Sequence, residues 1–215
     1  MELNFPQINF IYSKIFDESF RKIFDEYKTN HADYYKGFYP SFIKIRQSIE
    51  ELEKEWQRVS EKIFTSYKNL TGFEINQEKF DCYVVGRNPI FRGISEPLTI
   101  VISENSTGRA YSREELAIIL AHEIFHKLIS STNDSLWKFF QQEFEKENEI
   151  VCRHIPVLAL EKEIALNLYG EKFINKFITT YISKGYRRAW EIVNQTGPEI
   201  ILRRIRTEIS KSELF

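Results

Sequence analysis

Apolar positions recur at spacings of three and four along most of this chain, the period of helices with one buried face. Residues 13–28 place Ile15, Phe16, Phe20, Ile23, Phe24 and Tyr27 in that register and predict a first helix. Residues 41–71 predict a longer one, in which Phe42, Ile45, Ile49, Leu52, Trp56, Val59, Ile63, Tyr67 and Leu70 form a heptad seam ending near Gly72. The pattern then changes. Residues 80–86 and 98–103 are short and rich in β-branched or aromatic side chains, which predicts two strands. Gly86, Asn88, Pro89, Gly93 and Pro97 mark a loop between them. Helical spacing returns with Leu116, Ile119, Leu120, Ile124 and Leu128, behind a capping box of Ser112 and Glu115 and ahead of the turn residues 130–134. From 134 onward the chain again reads as helical, with stretches at 171–183, 186–195 and 199–210 punctuated by Gly170, Gly185 and the Gly197, Pro198 pair.

The expected fold class is therefore α+β, mainly helical, with a small antiparallel or mixed sheet just before the helix that starts at Ser112. Residues 1–72 form an N-terminal helical region and 73–215 a second region, packed together as one unit. The seam of the long helix predicts core or hairpin packing first and an oligomer interface second.

Composition changes this picture little. The 215 residues are 42% hydrophobic and 28% charged, which is ordinary for a globular chain. Thirty basic residues nearly cancel 31 acidic ones, so no nucleic-acid or membrane-surface partner is expected. The first residues lack the basic and apolar segments of a signal peptide, and no apolar run approaches ~20 residues. Two cysteines, Cys82 and Cys152, suit a reducing, cytoplasmic setting rather than a disulfide framework.

The chemistry is concentrated in one helix. His122, Glu123 and His126 spell H-E-x-x-H within its apolar run, and the chain has only four histidines in all. Residues four apart share a helical face, so both imidazoles can reach one metal ion while Glu123 projects beside them to take a proton from water. A catalytic zinc takes a third protein ligand. Glu149 is the first choice, because a highly charged stretch precedes it and Ile150, Val151, Cys152 and Ile155 follow. Glu145, which helical phase slightly favours, and His154 are the alternatives. His154, Tyr181, Tyr186 and Arg187 are candidates for steadying an oxyanion, with Tyr186 preferred.

On these residues the chain resembles the zincin metallopeptidases, and among them the thermolysin-like branch. The resemblance rests on His122, Glu123 and His126, on a glutamate some twenty residues later, on the strand at 98–103, and on Asn148 and Glu149, which echo the start of that branch's second motif. Arg153 stands where the branch has an aspartate. The resemblance implies a zinc-dependent peptidase acting on a peptide or protein, with Glu123 as general base. It also implies an extended substrate laid along the edge of the preceding strand. The competing readings are a metal-dependent hydrolase of another substrate and a non-enzymatic helical module with a vestigial motif.

Overall fold

A computed structural model describes residues 5–73, 75, 77–132, 134–181 and 184–212. The fold is α+β and mainly helical, with one mixed four-stranded sheet. In chain order the elements are β1 (Gln7–Ile11), α1 (Lys14–Asn30), α2 (Phe42–Thr71), β2 (Lys79–Val85), β3 (Gly93–Ser95) and β4 (Leu98–Val101). Then follow α3 (Arg113–Thr132), α4 (Asp134–Glu143), α5 (Glu149–Tyr181), α6 (Lys184–Thr196) and α7 (Pro198–Ser212). No helix among the described residues is long and apolar enough to cross a membrane.

By compactness the chain divides into residues 1–58 with 77–124, and residues 59–76 with 125–215. The division does not follow the expected boundary at 72. It falls inside α2 and inside α3, both of which are continuous helices.

The first unit holds the whole sheet, in the order β1-β2-β4-β3. β1 is parallel to β2, with Gln7 opposite Lys79, and β2 is parallel to β4, with Tyr83 opposite Thr99. β3 runs antiparallel to β4, with Gly93 opposite Ile100. Parallel neighbours need a long connection, and α1 and α2 supply the one between β1 and β2. All four residues of β4 are buried, as an interior strand requires. Phe80, Cys82, Val84 and Ile100 of the sheet, Phe20 and Phe24 of α1, and Ile45, Ile49 and Leu52 of α2 are core residues of this unit. The heptad seam is thus internal. Of its positions in α2, Phe42 is 48% exposed, whereas those from Ile45 to Tyr67 are buried.

Loops of the first unit are tied down by one buried cation. The Arg87 guanidinium donates to the carbonyls of Lys36 at 2.8 Å, of Glu104 at 2.9 Å and of Asn105, and lies 4.3 Å from the Phe24 ring centre. Carbonyl oxygens and a ring face satisfy a buried charge that cannot be shed.

In the second unit α5 packs against α4, α6 and α7. Gly170 interrupts α5 with φ +77°, so it comprises two helical stretches, as the glycine at that position predicts. Pro198 opens α7 directly after Gly197. Gly185, expected as a break, instead lies in the first turn of α6. The expected helix end at 183 lies outside the described residues.

Candidate metal centre

The helix that carries the motif is pinned at its start. The Glu115 N–H donates to Ser112 Oγ at 3.3 Å, and the Ser112 N–H donates to the Glu115 carboxylate at 2.8 Å, closing the capping box. Arg109 pairs with the same carboxylate at 2.9 Å. From Leu116 to Phe125 every residue of α3 is buried, and so is Leu128, the last apolar position of the expected stripe. His122 and Glu123 are buried and His126 is half-buried.

His122, His126 and His154 form a group that can hold a metal ion. One ring nitrogen from each lies within 4.8 Å of the other two. Around a tetrahedral zinc with bonds of ~2.0–2.1 Å, ligand nitrogens stand about 3.4 Å apart, so side-chain adjustments on the order of an ångström close the set. His126 and His154 meet edge to face, with centroids 4.9 Å apart and planes at 72°. Trp137 stacks on His126 at 6.5 Å, and the Tyr186 ring lies 4.3 Å from His154. His154 Nδ1 is 2.6 Å from the Ile150 carbonyl oxygen one turn earlier. A carbonyl only accepts, so Nδ1 carries the proton and Nε2 is the lone-pair nitrogen. A backbone acceptor of this kind commonly orients a ligating histidine. Three neutral imidazoles are a donor set that zinc accepts, and they leave the ion's charge undiminished.

The group that can hold a metal includes His154, one of the expected alternatives, and does not include Glu149. The expectation of one helix running through residues 143–149 does not hold: α4 ends at Glu143, a turn follows, and α5 begins at Glu149. Asn148 makes the new start by accepting the Val151 N–H at 3.0 Å. Residues five apart on a helix stand about 140° apart round its axis, so Glu149 and His154 occupy different faces of α5. Glu149 is 59% exposed at its side chain and pairs with Arg153 at 2.5 Å. Glu145 is exposed in the turn, Glu147 pairs with Arg188 at 2.6 Å, and Glu143 pairs with Arg204. A signal for His154 existed in the sequence. It falls on the line of Val151 and Leu158, both buried, where an imidazole is conspicuous.

Glu123 lies about 60° round α3 from His126. Its side chain rests on the backbone of Gly93 in β3. A Cβ at Gly93 would stand 2.5 Å from Glu123 Cγ and 2.6 Å from Oε1, so no larger residue fits without displacing the carboxylate. The Cys82 thiol of β2 is pushed well up, first by burial and then by the charge of Glu123.

The strand beside the motif also differs from expectation. β4 is flanked by β2 and β3, so the free edge of the sheet on this side belongs to β3. The Val101 N–H donates to the Arg92 carbonyl at 2.9 Å, which makes Arg92 and Val101 a hydrogen-bonded pair. Antiparallel pairs alternate. Ile94 is thereby bonded to Thr99, and the N–H and C=O groups of Gly93 and Ser95 point away from β4.

Among the candidate oxyanion donors, Tyr186 and His154 meet as described above, Arg187 is exposed, and the side chain of Tyr181 lies outside the described residues. A cavity of about 530 Å³ lined by Phe38, Tyr39, Lys44, Glu51 and Tyr111 contains none of the expected site residues. No family model matches the chain, and neither a curated protein nor a solved structure shows significant similarity to it.

Proposed function

We propose that the chain is a zinc-dependent metallopeptidase of zincin type, holding the ion through His122, His126 and His154. The observation that carries this reading is the convergence of three ring nitrogens, two of them from the H-E-x-x-H turn that also carries Glu123. Zinc bound there supplies a Lewis acid that polarises a carbonyl and makes water acidic enough to deprotonate near neutral pH.

The remaining work falls to this chain's own side chains. Glu123 is the only acid in the motif. It accepts the proton of the attacking water and returns it to the leaving amine. Its carboxylate is held against Gly93, so its position is set before substrate arrives. Tyr186, whose ring packs on His154, donates from its phenol to the oxyanion that develops on the scissile carbonyl. β3 supplies the main-chain groups of Gly93 and Ser95 for an extended substrate, which joins the sheet as a further strand. That geometry favours a peptide over a compact small molecule. A peptide can use the sheet edge and the proton-transfer group together, because both meet at Gly93.

The test joins metal analysis to cleavage. Purified protein is expected to carry about one zinc per chain and to cleave members of an unbiased peptide library. A chelator should abolish cleavage and zinc should restore it. Failure to take up any transition metal removes the reading. Stoichiometric zinc without cleavage of any peptide removes the peptidase assignment and leaves a metal centre of other use.

A further inference from the structure

The loop that feeds β3 shows an unusual combination of rigidity and apolar exposure. Asn88 is buried, and its side-chain oxygen accepts the N–H groups of Ile90 at 2.7 Å and Phe91 at 2.9 Å. The Tyr35 hydroxyl donates to the Pro89 carbonyl at 3.0 Å. Arg87, at the start of the same loop, is the fully buried cation that grips the carbonyls of Lys36 and Glu104. The backbone from 87 to 91 is therefore anchored at successive points. Yet the two side chains it displays are large and apolar, Ile90 at 52% exposure and Phe91 at 46%. Holding such side chains in water by a network of buried hydrogen bonds has no evident benefit for folding, since a mobile loop could bury them.

Their position gives them a use. Phe91 is two residues from Gly93, so its Cα lies within roughly 7 Å of the place where the strand backbone meets Glu123. A peptide that pairs with the outward groups of Gly93 and Ser95 and continues past the start of β3 runs alongside Ile90 and Phe91. We infer that Ile90 and Phe91 form an apolar subsite that selects peptides with a bulky aliphatic or aromatic residue next to the bond presented to Glu123. This inference rests on the peptidase reading for the identity of the occupant, but it concerns recognition and can be tested without turnover.

Burying one large apolar side chain at such a subsite is worth a factor of about ten or more in affinity. The measurement is fluorescence anisotropy of two labelled decapeptides, identical except for a central Leu-Phe in one and Ser-Asn in the other. The protein is the full chain with zinc and the substitution Glu123→Gln, which prevents turnover. The Leu-Phe peptide should bind at least about tenfold more tightly. Adding Ile90→Ser and Phe91→Ser should erase that difference and leave the Ser-Asn peptide's affinity unchanged. Phe91→Leu, which keeps the apolar surface, should preserve the preference. Equal binding of the two peptides, binding of neither, or a preference that survives the double serine substitution would overturn the inference. Hydrolysis by the unsubstituted, zinc-loaded chain separates this outcome from the parent reading. Selective binding without hydrolysis sinks the peptidase alone, and hydrolysis without apolar selectivity sinks the subsite alone.

Discussion

At the scale of single residues, the arrangement assigns different tasks to side chains that look alike in the sequence. His154 is oriented by the Ile150 carbonyl and lies edge-on to His126, while Glu149 is neutralised in solvent by Arg153. His154→Ala should therefore strip zinc from the protein, and Glu149→Ala should leave it at about one per chain, both read by elemental analysis after gel filtration. The reverse pattern would return the third position to the glutamate. Glu123→Gln keeps shape and removes basicity. Zinc should stay bound while kcat on a cleavable peptide falls by roughly 10² to 10⁴, the usual worth of a placed general base. Gly93→Ala is predicted to act on the same step from the other side. A Cβ there would collide with Glu123 Cγ and Oε1, so the carboxylate must swing away. Peptide cleavage should drop at least tenfold with zinc content unchanged. An alanine variant of full activity would show that the glutamate's position is not set by this contact.

At the scale of elements, α3 depends on its capping box, and that dependence can be measured. Ser112→Ala leaves the Glu115 N–H without its side-chain acceptor, a loss of about 1 kcal/mol. For a chain of this length that is a fall of roughly 2–4 °C in Tm, read by circular dichroism. An unchanged melting curve would mean that packing around Leu116 and Ile119 alone holds the helix start. The same box was legible in the sequence, because Ser112 and Glu115 satisfy each other within four residues. So was the seam of α2, where every buried position from Ile45 to Tyr67 obeys the helical period. Two strands were not legible. β1 spans only Gln7–Ile11 and alternates weakly, and its strand identity comes from pairing with Lys79–Val85, more than seventy residues away. β3 has three residues amid glycine and proline, where local propensity says loop and only β4 says strand. That His154 rather than Glu149 joins the histidine pair was hidden for a related reason. The break before α5 depends on Asn148 acting as a cap. Without that break, residues 143–149 read as one continuous helix, whereas Glu143 ends α4 and Glu149 begins α5.

At the scale of the whole molecule, 30 basic and 31 acidic residues nearly cancel, so net charge does little to attract or repel a cation and the local donor set matters most. His122 and His126 are four residues apart, but His154 follows His126 by twenty-eight positions, and an unfolded chain does not hold the three together. A ligand that binds only the folded state stabilises it by mass action, by about 2.7 kcal/mol at a hundredfold excess over Kd. That corresponds to a rise of roughly 5–10 °C in Tm for a chain of this size. Differential scanning calorimetry with and without a chelator should show this increment in the unsubstituted protein and in Glu149→Ala. It should be missing in His122→Ala and His154→Ala. Lowering the pH should also remove it. A ring nitrogen must be unprotonated to hold the ion, so protons compete with zinc, and the increment shrinks as pH falls through the imidazole range and returns on neutralisation. A thermal shift that persists in His154→Ala, or that grows with acidity, would mean that the ion sits elsewhere in the chain.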